Sequence, residues 1–113
     1  MADSFKERQK GEEFKFEMEQ GFRFKAESRR NRLLGEWLAE RFGMSSDETG
    51  VYAKEVIVSD LEEPGIEDVI RKVMKDIEDR GSAITEDEVR AKMDALYDVA
   101  VEQLKSDFKP GGP

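Results

Sequence analysis

The chain has 113 residues, a net charge of −8 and 41% charged residues, and it contains neither cysteine nor histidine. Without cysteine it cannot form a disulfide or a zinc–thiolate site, and without histidine it lacks the usual general base and the commonest metal ligand. The sequence therefore predicts one domain that is not an enzyme and that binds no cofactor and no metal ion.

The charge is unevenly distributed along the chain. Residues 1–32 hold nine Lys or Arg against seven Asp or Glu, whereas residues 33–113 hold ten against twenty. The acidic body should repel nucleic acid, and only the N-terminal segment suits an acidic partner. Because the chain has no run of about 18 apolar residues and no signal-peptide pattern, we expect a cytoplasmic location without membrane insertion.

Residues 1–20 are predicted to form a mobile, partly disordered arm. Gly11 and Gly21 would each cost about 1 kcal/mol in a helix interior, and a helix confined to the segment between them would be marginal in water. We therefore expect the arm to become ordered only against a partner.

The phenylalanines that begin in this arm lie on two faces of a helix. Phe14 and Phe22, with Met18 between them, form one stripe, whereas Phe16 and Phe24 lie on another face. One face can pack on a core, so the other is a candidate partner surface. Phe22 and Phe24 adjoin the next helix, and we assign both to the core.

Four helices follow from the apolar periodicity, and strand signals are nearly absent. Ser45–Glu48 and Thr85–Glu88 have the capping-box pattern before apolar runs, and Val58 is a mild argument for strand. The predicted ranges are about 22–42, ending at Gly43, about 47–61, then 66–80, ending at Gly81, and 86 to about 108.

Short connections make successive helices antiparallel neighbours, so the predicted fold class is all-α, with a four-helix bundle over residues 21–109. Trp37, Tyr52 and Tyr97 are expected in the bundle core, the tyrosines with their hydroxyls at the rim. Residues 110–113 read Pro-Gly-Gly-Pro, which predicts a disordered tail.

The segment RRNRLLGEW, residues 29–37, closely resembles the ATPase inhibitor subunit zeta family of bacterial F-type ATP synthase. That family typically has lysine at the position of Arg32. The resemblance extends to residues 52–63, 67–73 and 88–93, and to Phe5, Arg8, Glu13, Lys15, Phe16 and Phe24 in the N-terminal segment. The chain departs from the family pattern at Glu12, Gly21 and Glu36, where the family tends to have an aromatic, an acidic and an apolar residue, respectively.

The resemblance implies a four-helix bundle with an inhibitory arm. In that family the arm inserts between the catalytic subunits and the rotating central stalk, which blocks rotation in the hydrolysis direction at the cytoplasmic face of the membrane. The implied partners are the catalytic head and the central stalk, and we expect the free protein to be a monomer. The candidate partner-binding residues of the arm are Phe5, Arg8, Lys10, Phe14, Lys15 and Phe16.

The cluster Arg29, Arg30 and Arg32 is the candidate bundle anchor. It has three interpretations: a solvated face paired with the acidic body, docking onto carboxylates of the catalytic subunits, or contact with the phosphate of a nucleotide. Two alternative functions also stay open. The bundle could be a small-ligand binder with weak nucleotide binding, or it could be a non-inhibitory assembly or stability factor for the same complex.

Overall fold

The computed structural model describes the backbone of residues 2–62 and 65–107 and the side chains of residues 21–60 and 65–107. It contains four helices and, within these ranges, no strand. The helices are α1 (Ala2–Phe42), α2 (Ser46–Glu62), α3 (Glu67–Asp79) and α4 (Glu86–Asp107). The all-α, four-helix prediction is confirmed, and Val58 lies in a helix rather than a strand.

The first helix is longer than the bundle helix that we predicted to begin near Phe22. It starts at Ala2 and continues without interruption to Phe42, so the predicted arm and the first bundle helix share one helical axis. The side chains of the arm residues Phe5, Phe14 and Phe16 lie outside the described ones, as do the tail and Phe108. The expectation that the arm is mobile in the free protein stays a prediction.

The turns between helices form as the sequence indicates. After α1, Gly43 adopts a φ of 76°, and the Met44 amide donates a hydrogen bond of 3.0 Å to the Ala39 carbonyl, which is a Schellman end. Both predicted capping boxes also form. At the start of α2 the Ser45 amide donates to Glu48 Oε1 at 2.9 Å, while the Glu48 amide donates to Ser45 Oγ at 3.2 Å. Thr85 and Glu88 make the same pair of bonds.

The core lies where all four helices meet. α1 packs against α2 and α4, and α3 bridges α2 and α4. Tyr52 is buried, as predicted, with its ring edge-on to Phe42 at a centroid distance of 5.8 Å. Trp37 is partly buried and packs against the core, whereas Tyr97 is partly buried outside the core cluster. The central buried residues are Leu34, Leu38, Val56, Val69, Val73, Ile77, Val89 and Met93.

The closest approach between helices is at Gly35. A Cβ atom on this residue would lie 2.7 Å from the Cα of Ala53 on α2, closer than such atoms pack. Glycine costs about 1 kcal/mol relative to alanine inside a helix, but here it lets two helix backbones come into contact. Gly35 therefore fixes the spacing of α1 and α2, the pair that holds the candidate site.

Candidate functional site

The helix period separates the three arginines of the candidate bundle anchor. On α1, Arg30 is buried, Arg29 is half-buried and Arg32 is exposed. Residues one or two apart on a helix point in different directions, since each step turns the chain by about 100°. The cluster is therefore not one basic patch, and its members have different surroundings.

Arg30 belongs to a polar network inside the bundle. Its Nε donates a 3.0 Å hydrogen bond to Asn31 Oδ1, and Asn31 Nδ2 donates a 3.0 Å hydrogen bond to Asp60 Oδ2 on α2. Asn31 is fully buried, and Arg30 is 7% exposed. The Arg30 guanidinium also lies 6.0 Å from the ring centroid of Tyr97 on α4. The network thus connects three helices.

The charge of Arg30 is compensated within the fold. Burial lowers the pKa of the Arg30 guanidinium, and the carboxylates of Asp60 and Glu27 counteract this effect. No buried side-chain nitrogen or oxygen among the described residues lacks a hydrogen-bond partner. A buried polar network that is fully paired holds its helices in one register. The interpretation of Arg30 as part of a solvated face is therefore wrong.

Arg29 connects the start of the bundle to its last helix. Its Nη1 donates to Gln103 Oε1 at 2.9 Å, and its Nη2 lies 3.1 Å from Asp107 Oδ2 in the last turn of α4. Asp107 is largely exposed, so this ion pair contributes little by itself. Its effect is to position the end of α4 beside the part of α1 that follows the arm.

Of the three candidate anchor residues, Arg32 is the one that faces solvent. Its Nε lies 3.7 Å from Glu36 Oε2, one helical turn further on, and both side chains are nearly half exposed. Such a pair is worth about 0.3–0.5 kcal/mol. Arg32 can therefore exchange Glu36 for a carboxylate of a partner at small cost.

Phe24, two i+4 steps before Arg32 on α1, is also exposed, to 57%. The prediction that Phe24 lies in the core is wrong, while Phe22 is half-buried. Phe22 precedes the buried residues Ala26 and Arg30 at four-residue spacing, whereas Phe24 precedes exposed Arg32 by eight residues. Phe22 and Phe24 therefore point in different directions, because residues two apart on a helix are about 200° apart.

A second surface lies in the groove between α2 and α3. It carries the cations Lys54, Arg71, Lys72 and Lys75 and the carboxylates of Glu55 and Asp68 beside Val58, which is 51% exposed. Arg71 is paired with Asp68, and Lys75 Nζ lies 3.0 Å from Asp79 Oδ2. The described residues contain no group of acidic side chains that could hold a metal ion. None of the described helices is both long and apolar enough to cross a membrane.

Two comparisons with known proteins decide the family. The family model for ATPase inhibitor subunit zeta matches residues 1–103. The chain belongs to the ATPase inhibitor subunit zeta family. It is also similar to a protein solved by solution NMR, with 49% identity over 75% of this chain and 96% of that one, and a TM-score of 0.67. No curated protein matches the chain.

The zeta-family match includes the arm as well as the bundle. It covers all nine candidate partner-binding residues, from Phe5 to Arg32. Of these, the structure describes the side chains of Arg29, Arg30 and Arg32 only, and it brings Arg30 and Arg29 into contact with the bundle. Sequence reasoning missed Asn31, Asp60 and the exposure of Phe24. No local pattern marked Phe24 as exposed, and none marked Asp60 as the partner of Asn31.

Proposed function

We propose that this zeta-family protein inhibits ATP hydrolysis by F-type ATP synthase at the cytoplasmic face of the membrane. Residues 1–20 insert between the catalytic subunits and the rotor and block rotation in the hydrolysis direction, while the bundle holds the arm at the enzyme. The observation that carries the proposal is the family match over residues 1–103, which includes the arm with its phenylalanines.

The geometry of α1 supports a steric mode of action. The helix runs from Ala2 to Phe42, and its second half is packed in the bundle. A helix rises by about 1.5 Å per residue, so residues 2–20 as a helix would span about 28 Å. Such a rod, joined directly to a folded domain, has the dimensions to fill a cleft between subunits. In this account Phe5, Phe14 and Phe16 enter pockets, and Arg8, Lys10 and Lys15 pair with carboxylates.

The three arginines of the bundle anchor have two different roles in this proposal. Arg32 contacts the enzyme directly, because it faces solvent and its ion pair with Glu36 is weak. Arg29 and Arg30 act through the fold, since their guanidinium groups bind Gln103, Asp107 and Asn31. They set the direction in which α1 leaves the bundle.

The proposal is tested by substituting the arm phenylalanines in the full chain. A variant with Phe5→Ala, Phe14→Ala and Phe16→Ala should inhibit a cognate F-type ATPase head at least about 30-fold less tightly, the effect of losing one contact worth about 2 kcal/mol. Val99→Ala on α4, at a residue that is 41% exposed, is the control and should leave inhibition unchanged. Undiminished inhibition by the triple variant would contradict the proposed role of the arm.

A second candidate function is nucleotide binding in the groove between α2 and α3. The observation that favours it is the group of cations beside Val58, since phosphate binds to clustered Lys and Arg. Titration with ATP and with ADP, followed by NMR chemical shifts, should then perturb Lys54, Arg71 and Lys75. Absence of shifts at these residues at millimolar nucleotide would exclude this candidate.

A further inference from the structure

Phe24 is the large aromatic side chain that the bundle leaves most exposed among the described residues. Its exposed fraction is 57%, while Phe42 packs on the core and Phe22 is half-buried. Single exposed apolar residues are ordinary on protein surfaces. What distinguishes Phe24 is its position, because it lies on the helix that leads directly from the arm into the bundle.

The residues around Phe24 define the chemistry of a matching surface. Lys25 is adjacent and exposed. Arg32 lies two i+4 steps after Phe24 on the same inclined row of side chains, here called the outward row, about 12 Å further along the helix axis and about 80° around it. The rest of the chain, residues 33–113, is strongly acidic. A partner that binds this row would therefore offer an apolar pocket for the ring and carboxylates for the two cations.

The outward row is also free to form such contacts. Arg32 has a weak ion pair with Glu36 at 3.7 Å, in which both side chains are nearly half exposed. Phe24 is absent from the hydrophobic core cluster. Neither residue is needed to close the bundle, in contrast to the buried residues Arg30 and Asn31.

We infer that Phe24 and Arg32 form a second contact with the ATPase head, which continues the interface of the arm onto the bundle. The inference rests on the proposed function, and it names the occupant as an apolar pocket rimmed by carboxylates on the same subunits that hold the arm. Phe24 fills the pocket, and Arg32 exchanges Glu36 for a carboxylate of the enzyme. The interface thereby extends beyond residue 20 along one continuous helix.

The test compares full-length variants in two assays, inhibition of ATP hydrolysis and direct binding to a cognate ATPase head without its own inhibitor. Phe24→Ala and Arg32→Gln should each weaken binding and inhibition, Phe24→Ala by about tenfold or more, the usual size for a central aromatic contact. The control is Val51→Ala. Val51 is 61% exposed. Its neighbour Tyr52 packs on Phe42, the last residue of α1, so Val51 lies near the end of α1 that is opposite to Phe24.

The outcomes separate this inference from the proposed function. If the parent chain inhibits and Phe24→Ala inhibits equally well, the second contact is refuted and the inhibitory function stands. If the parent chain binds without inhibiting and Phe24→Ala weakens binding, the contact is supported and the inhibitory function is not. Absence of binding by the parent chain would overturn both. Unchanged helix content and thermal midpoint are expected for Phe24→Ala, because alanine is the better helix former and the ring is exposed.

Discussion

Asn31 on α1 donates a 3.0 Å hydrogen bond from Nδ2 to Asp60 Oδ2 on α2, at a point where the Asn31 side chain is fully buried. The bond ties together the two helices that pack without an intervening side chain at Gly35. It also orients the amide that accepts from Arg30. A polar contact between residues far apart in sequence thus joins α1 to α2.

Removal of the Asp60 carboxylate should destabilise the bundle. Asp60→Ala leaves the buried Asn31 amide without its acceptor, and the loss of such a bond costs about 1–3 kcal/mol. The measurement is the free energy of unfolding in urea. Asp60→Asn is the matched comparison, because it keeps an oxygen that can accept the bond and removes the charge that compensates Arg30, so it should destabilise the bundle less than Asp60→Ala. Equal stability of Asp60→Ala and the parent chain would refute the structural role of this bond.

Substitution by alanine should lower the stability of the protein at Gly35 and raise it at Gly50. Gly35→Ala places a methyl group 2.7 Å from the Ala53 backbone, and such overpacking costs about 1–3 kcal/mol. Gly50 lies inside α2, and a methyl group on it would meet no atom within 4 Å, so Gly50→Ala should stabilise the protein by up to about 1 kcal/mol. Chemical denaturation of both variants checks the pair. Stabilisation by Gly35→Ala would show that the helices are not in contact there.

Substitution of Gly21 should strengthen the link between arm and bundle. Gly21 lies in α1, and a Cβ atom on it would meet nothing within 4 Å. Gly21→Ala should therefore favour the continuous helix by up to about 1 kcal/mol. Gly21→Glu, which restores the acidic residue typical of the family, tests whether potency follows. Circular dichroism should show more helix for both variants, and tighter inhibition is expected. Weaker inhibition despite added helix would indicate that a flexible joint is required.

Stability and inhibition should both be insensitive to pH between about 6.5 and 8. The chain has no histidine, and the usual carboxylate and lysine pKa values lie outside this window. Hydrogen bonding to Arg90 lowers the pKa of Glu67 from 4.5. The stabilisation from this pair is therefore present above about pH 4.5 and is lost as the pH falls through the lower, folded-state pKa.

The dependence of stability on alkaline pH follows from Lys75. Hydrogen bonding to Asp79 raises the pKa of its ammonium group from 10.5, so its stabilisation is present below about pH 10.5 and is lost as the pH rises through the higher, folded-state value. The measurement is the urea midpoint across the pH range, with Glu67→Gln as the control that should reduce the acid dependence. A steep change in inhibition between pH 6.5 and 8 would contradict this account.

Much of the fold could be predicted because its determinants are local. The apolar period places the helices, and Ser45, Thr85, Gly43 and Gly81 mark their ends by hydrogen bonds within a few residues. The site was less predictable because its determinants are not local. Arg30 belongs to a residue type that is usually exposed, and its burial depends on Asn31 and on Asp60, which lies on another helix.

The two phenylalanines at the start of the bundle illustrate the same difference. Phe22 and Phe24 are two residues apart and share the same neighbouring sequence, from which we predicted that both lie in the core. Which of them faces inward depends on how α1 is rotated about its own axis where it packs against α2 and α4. The resemblance in residues 29–37 indicated the family, whereas the exposure of Phe24 became evident only in the packed helices.

The central claim is that residues 1–20 inhibit ATP hydrolysis while the bundle folds without them. The most direct test is the rate of ATP hydrolysis by a cognate F-type ATPase head that lacks its own inhibitor, with the full chain and with a chain from which residues 1–20 are removed. The full chain should inhibit, and the shortened chain should keep its helical circular dichroism and fail to inhibit. Full inhibition by the shortened chain would contradict the account.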